Sequence, residues 1–176
     1  MKNDVSNRRE FLQRAGEVTT VAAAATALGG VHAFAASAAE PVHVGIIGCG
    51  GIMTHHVKGL TARDDAKIAW LCDVDPAQVA RMAGVISGAG LRPAKRTLKY
   101  EDVLKDSNVD AVIIATPHHW HAPIALEAMA AGKDTYIEKP ISHVFNEGPL
   151  IIEAAKKYKR VVQQGSQMRS SPVTAK

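Results

Sequence analysis

The chain has 176 residues, 47% of them hydrophobic and 22% charged, enough for one domain with its own core and a short appendage. Its net charge is +4, and without the four basic and three acidic side chains of residues 1–38 it is +3; with no basic run interleaved with aromatics, this excludes nucleic acid as the main partner. Two cysteines, Cys49 and Cys72, are too few for a disulfide framework, and each closes an apolar run where a small free thiol packs well.

The N-terminal stretch patterns differently from the rest. Asn7-Arg8-Arg9-Glu10-Phe11-Leu12-Gln13 sets paired arginines before an apolar pair. Val18 to Ala39 carries no formal charge, and Ala36-Ser37-Ala38 offers small residues ahead of Glu40 and Pro41. Basic, apolar and small-residue regions in this order predict an export signal over residues 1–38. The arginine pair points to twin-arginine export machinery, and so to a periplasmic or extracellular destination. A membrane anchor is the alternative, since the uncharged stretch is long enough to span a bilayer. Only Val18, Val21, Leu28, Val31 and Phe34 are strongly apolar in it, however, and alanine adds little insertion energy. A chain that folds before export also keeps its thiols free.

From residue 41 onward, short apolar runs alternate with amphipathic stretches. Val42–Ile47 reads as a first strand, stopped by Gly48-Cys49-Gly50-Gly51, with a helix over roughly Ile52–Ala62. Lys67–Cys72 is a second strand, ended by Asp73-Val74-Asp75-Pro76. Pro76 suits a helix first turn, and Val79, Met82, Ala83 and Ile86 follow at helical spacing. A weak third strand is expected near Ala94–Thr97, and a short helix over Glu101–Lys105. Ala111–Ala115 is wholly apolar, as a strand covered on both faces should be. Pro123–Ala131 then reads as a helix, Thr135–Ile137 as a fifth strand, Glu147–Tyr158 as a helix and Val161–Gln164 as a sixth strand. The fold class predicted is α/β: a doubly wound parallel sheet of the Rossmann type over residues 41–166.

Four loops at the strand ends carry the chemistry. In Gly48-Cys49-Gly50-Gly51-Ile52-Met53, the first glycine permits a tight turn and the second lets the backbone approach a pyrophosphate at the helix N-terminus. Met53 occupies the place of the usual third glycine, so the helix is expected to stand off or shift. Asp73 ends the second strand, where a carboxylate accepts from the adenosine ribose hydroxyls and repels a 2′-phosphate; NAD is therefore expected over NADP. Asp75 meets the description of a plain turn residue as well as Asp73 does.

Thr116-Pro117-His118-His119-Trp120-His121 follows the fourth strand and faces the glycine loop where strand order reverses. Its histidines lack a neighbouring cysteine or carboxylate and the i, i+4 spacing of helical zinc sites, so no metal is expected. Glu138-Lys139-Pro140 ends the fifth strand. Proline forces extended backbone on Lys139, aiming it into the same crevice, where a lysine orients a substrate hydroxyl and favours its deprotonation.

Together these pieces resemble the glucose–fructose oxidoreductase and inositol dehydrogenase family, Gfo/Idh/MocA. The carriers are Gly45-Ile46-Ile47-Gly48-Cys49-Gly50-Gly51, Cys72-Asp73-Val74-Asp75-Pro76, Ala115-Thr116-Pro117 with His121, Ala130-Ala131-Gly132-Lys133 and Glu138-Lys139-Pro140. The resemblance implies that Lys139 contacts substrate and nicotinamide. It implies a cofactor-binding set of Gly48, Gly50, Gly51, Ile52, Asp73, Thr116, Pro117, His118, His119, Trp120, His121, Glu138, Lys139 and Gln167. It further implies a carbohydrate or polyol substrate, a second, open-faced sheet domain and a possible homo-oligomer of the full-length form. Residues 167–176 are expected to begin that second domain, and the chain on its own to hold the dinucleotide without turning over sugar.

Three functions compete. One is hydride transfer between NAD(P) and a sugar or polyol within a longer protein. Another is a lone NAD-binding module. The third is an NAD-dependent glycosidase that uses a transient oxidation, as in the exported branch this sequence is similar to.

Overall fold

The computed structural model describes residues 40–166. Residues 1–38, where an export signal is expected, and Gln167 lie outside them. The elements are β1 (Val42–Ile47), α1 (Met53–Thr61), β2 (Ala66–Cys72), α2 (Pro76–Gly88), β3 (Lys95–Thr97), α3 (Tyr100–Lys105), β4 (Ala111–Ile114), α4 (His121–Ala130), β5 (Asp134–Ile137), α5 (Glu147–Tyr158) and β6 (Val162–Gln164). A 3-10 turn, His118–Trp120, precedes α4.

The six strands form one sheet in the order β3-β2-β1-β4-β5-β6, and every pairing is parallel. Right-handed crossovers from β1 toward β3 and from β4 toward β6 put helices on opposite faces. Strand order reverses between β1 and β4, which leaves a crevice at their carboxyl ends. Each face has its own core. One gathers Ile46, Met53, Val57, Leu71, Val79, Met82 and Ile86. The other gathers Val112, Ile114, Ile124, Met129, Ile137 and Ile151 around α4 and α5.

Two local expectations need adjusting. The helix expected from Pro123 starts two residues earlier, at His121, because proline is tolerated in a first turn, where its missing N–H has no intrahelical acceptor. Met53 is fully buried between α1 and the sheet, where its flexible side chain fills the gap that a glycine would have closed.

Between Asp73 and Asp75 the roles separate cleanly. Asp75 is the N-cap of α2, its carboxylate accepting from Ala77 N–H at 2.8 Å with Pro76 at the first helical position. That leaves Asp73 to face the glycine loop. Among the described residues, no helix is long and apolar enough to cross a membrane.

Candidate functional site

The site begins where β1 ends. Gly48 has φ +90° and donates its N–H to Cys72 O at 2.8 Å. A Cβ on Gly48 would lie 2.6 Å from Ala115 O and 2.8 Å from Thr116 N, so the glycine loop touches the β4 loop backbone to backbone. Only glycine fits both the dihedral and the contact. Asp73 then takes the Cys49 N–H on Oδ2 at 2.7 Å and the Asp75 N–H on Oδ1 at 3.0 Å. Its carboxylate therefore braces the loop as well as facing the crevice.

A cleft of about 440 Å³ opens at this junction. Its lining includes Gly48, Gly50 and Asp73 on one wall, Thr116, Pro117, His119 and Trp120 on the other, and Leu98 and Tyr100 from the β3–α3 side. Tyr100 and Trp120 lie with ring centroids 6.3 Å apart, and Trp120 is 45% exposed. Burial and a hydrogen bond to Glu127, at 3.0 Å, push the Tyr100 phenol up to about 12. Burial, aided by the Asp73 carboxylate, pushes the Cys49 thiol up to about 12, and burial does the same for Cys72 on the cleft wall. Both stay uncharged and free.

Three features of the cleft suit a dinucleotide. Among the described residues, the positions a Cβ would occupy on Gly50 and Gly51 meet nothing within 4 Å, which leaves room for a phosphate against the backbone. The buried Thr116 hydroxyl, on the cleft wall, has no hydrogen-bond partner among the described residues. An acidic side chain, Asp73, closes the β2 end. Gly50, Asp73, Thr116, Pro117, His119 and Trp120 would hold the ligand there.

The remaining expected residues are distributed around this cleft. Gly51 and Ile52 follow it as exposed residues at the start of α1. His121 is 2% exposed and bridges two loops, with Nδ1 2.6 Å from Pro140 O and Nε2 2.8 Å from Thr116 O. It is a strut beneath the surface. His118 is exposed and packs against His143, ring centroids 4.9 Å apart, with His119 beside them. Glu138 is 6% exposed, and its Oε2 accepts from Lys139 N–H at 3.1 Å. Lys139 itself is exposed at the carboxyl end of β5, outside the 440 Å³ cleft.

Two residues that sequence patterning did not single out join the site. His56, on α1, meets Glu138 Oε1 at 2.7 Å and packs edge-on against Tyr136. Arg81, on α2, holds the glycine loop from outside. Each sits among the polar positions of an amphipathic helix, which in a sequence look like ordinary solvated side chains.

Residues 42–166 match the family described as "Oxidoreductase family, NAD-binding Rossmann fold" (GFO_IDH_MocA). The chain is 34% identical over 122 residues to a glycosyl hydrolase family 109 protein of Shewanella pealeana, covering 67% of this chain and 27% of that one. It is 32% identical over 172 residues to an alpha-N-acetylgalactosaminidase of Shewanella oneidensis, covering 86% and 37%. Among solved structures it is similar to the WlbA dehydrogenase from Chromobacterium violaceum, in complex with NADH and UDP-GlcNAcA. The TM-score is 0.69 at 26% identity, over 77% of this chain and 38% of that one. The chain thus spans between about a quarter and two fifths of the length of these relatives.

Proposed function

This chain belongs to the Gfo/Idh/MocA family and carries its NAD-binding Rossmann domain, and from there we propose that it is the cofactor-holding part of an exported oxidoreductase acting on a carbohydrate or polyol. The observation that carries the reading is the backbone contact between Gly48 and Ala115, which joins the glycine loop to the Thr116 loop over one cleft closed by Asp73. Bound NAD supplies a hydride acceptor. Lys139, next to the buried Glu138, is assigned to orient a substrate hydroxyl and favour loss of its proton. Calorimetric titration with NAD tests the cofactor site: saturable binding that ADP-ribose competes away is expected, and no heat at millimolar NAD overturns the reading.

A second reading, an NAD-dependent glycosidase, is favoured by the two Shewanella relatives, named as a family 109 glycosyl hydrolase and an alpha-N-acetylgalactosaminidase. In a protein that contains this chain, sugar release without net reduced cofactor selects the hydrolase. Net accumulation of NADH selects the dehydrogenase.

Export by the twin-arginine route is proposed from Arg8, Arg9 and the uncharged stretch that follows them. Replacing both arginines by lysine should leave unprocessed precursor in the cytoplasm. Normal processing of that variant overturns the route.

A further inference from the structure

The glycine loop is held on its outer side by a residue of α2. Arg81 Nη2 donates to Cys49 O and, at 3.2 Å, to Gly50 O. Its Nη1 donates to Thr54 Oγ1 at 3.1 Å and its Nε to Gln78 Oε1 at 3.0 Å. On the other side of the same loop, the Cys49 N–H is held by Asp73 at 2.7 Å. Asp73, just after β2, and Arg81 of α2 thus grip one peptide segment from two directions.

A trans peptide is planar, and its carbonyl points opposite to the N–H of the next residue. Turning the Cys49 and Gly50 carbonyls toward the guanidinium therefore turns the Gly50 and Gly51 N–H groups the other way. Among the described residues, neither N–H has an acceptor within the protein. Gly50 lines the cleft, and the space beside both α-carbons is open. Among the described residues no other donor reaches those carbonyls on the outer side, and a carbonyl oxygen facing an anion repels it.

We propose that Arg81 is a positioning residue for the pyrophosphate of the dinucleotide. It keeps two carbonyl oxygens out of the anion's site, presents the Gly50 and Gly51 N–H groups as a pair of donors, and places a fixed positive charge behind them. This rests on the cleft being the NAD site. Four of the five guanidinium N–H groups are already used within the protein. Arg81 is thus committed to the loop and is not a reader of a 2′-phosphate.

The test separates ligands with and without the pyrophosphate. NAD, ADP-ribose and adenosine are titrated against the unsubstituted chain, R81A and R81K. R81A should weaken NAD and ADP-ribose by about 10–100-fold, the range for losing charge-assisted donors. Adenosine should change by less than about two-fold, since it makes no phosphate contact. R81K keeps the charge but lacks the planar fork that reaches Thr54 and Gln78 as well as the carbonyls, so it should fall in between, and it serves if R81A does not fold. A spectroscopic signature accompanies this: the Gly50 and Gly51 amide resonances should shift on adding ADP-ribose to the unsubstituted chain, and much less in R81K.

Equal weakening of adenosine and ADP-ribose would make Arg81 a general scaffold residue and overturn the inference. Undiminished NAD binding by R81A and R81K would overturn it too, leaving the cofactor site standing. Failure of the unsubstituted chain to bind NAD would overturn both.

Discussion

His56 Nε2 stands 2.7 Å from Glu138 Oε1, joining the helix after the glycine loop to the Glu138-Lys139-Pro140 segment at the end of β5. Glu138 is 6% exposed, and its other carboxylate oxygen accepts from the Lys139 N–H. Removing the imidazole leaves a buried carboxylate with one backbone donor. His56→Ala should therefore lower stability by about 3 kcal/mol, measured by urea unfolding. His56→Gln keeps a donor and should recover most of the loss. An unchanged midpoint for His56→Ala would mean that water replaces the ring at no cost.

The loop glycines should respond to substitution in opposite ways. Gly48→Ala puts a methyl against the Ala115 carbonyl at φ +90°, and neither backbone can retreat cheaply. A loss of about 3 kcal/mol or outright failure to fold is expected. Gly50→Ala and Gly51→Ala meet open space, so stability should change by no more than about 1 kcal/mol. NAD affinity should nevertheless fall about ten-fold or more, since the methyl occupies the space next to the amides. Thermal melts and NAD titration on the same variants separate the two effects.

Cofactor choice should follow Asp73. Its carboxylate faces the cleft and is fixed by the Cys49 and Asp75 N–H groups, so it cannot swing away from a 2′-phosphate. NAD should bind about 10–100-fold tighter than NADP, as repulsion and lost hydroxyl hydrogen bonds of about 1–3 kcal/mol imply. Asp73→Asn should narrow that ratio. Equal affinity of the unsubstituted chain for the two cofactors would sink the idea.

The thiols should be inert. Burial raises both cysteines to about 12, and the Asp73 carboxylate adds to this at Cys49. The folded chain therefore keeps protons that the unfolded chain releases near 9, and stability is lost as pH rises through the window from about 9 to 12. Mass spectrometry should find both cysteines unlabelled by iodoacetamide at pH 8 and labelled in urea. Rapid labelling of the folded chain would show that the glycine loop opens.

Asp106 should govern acid stability. Its side chain is 11% exposed and accepts from Lys95 Nζ at 2.8 Å, Trp70 Nε1 at 2.8 Å and Asn108 N–H at 3.0 Å. Lys95 first, then Trp70 and Asn108, hold its carboxyl well below the usual carboxylate range. The stabilisation is thus fully present above the ordinary value of 3.8 and lost as pH falls below it. Asp106→Asn should cost about 2 kcal/mol at pH 7 and much less near pH 2, followed through Trp70 fluorescence in urea. A loss independent of pH would assign the effect to shape and not to charge.

Much of the fold was written in local pattern. The apolar run Ala111-Val112-Ile113-Ile114 fits a strand covered on both faces, and alternation of such runs with helical spacing implies parallel order without any knowledge of contacts. The glycine loop and Asp73 were legible because a turn after a strand and a carboxylate at the next strand's end need specific residues at a set spacing. The proposal of export for residues 1–38 rests on the sequence alone.

Tertiary structure decided the rest. Asp73 and Asp75 are chemically identical and two residues apart; which one caps α2 and which braces the loop depends on where β2 delivers them. His121, which the resemblance places at the cofactor, is buried by the turn of α4 between the Thr116 and Pro140 carbonyls. His56 and Glu138 are 82 positions apart, and Arg81 and Cys49 are 32. Periodicity tells which face of a helix is polar, but not what that face will meet. Such pairs exist only once the crossovers have stacked α1 and α2 over one face of the sheet, because a hydrogen bond depends on distance in space and the chain records only distance along itself.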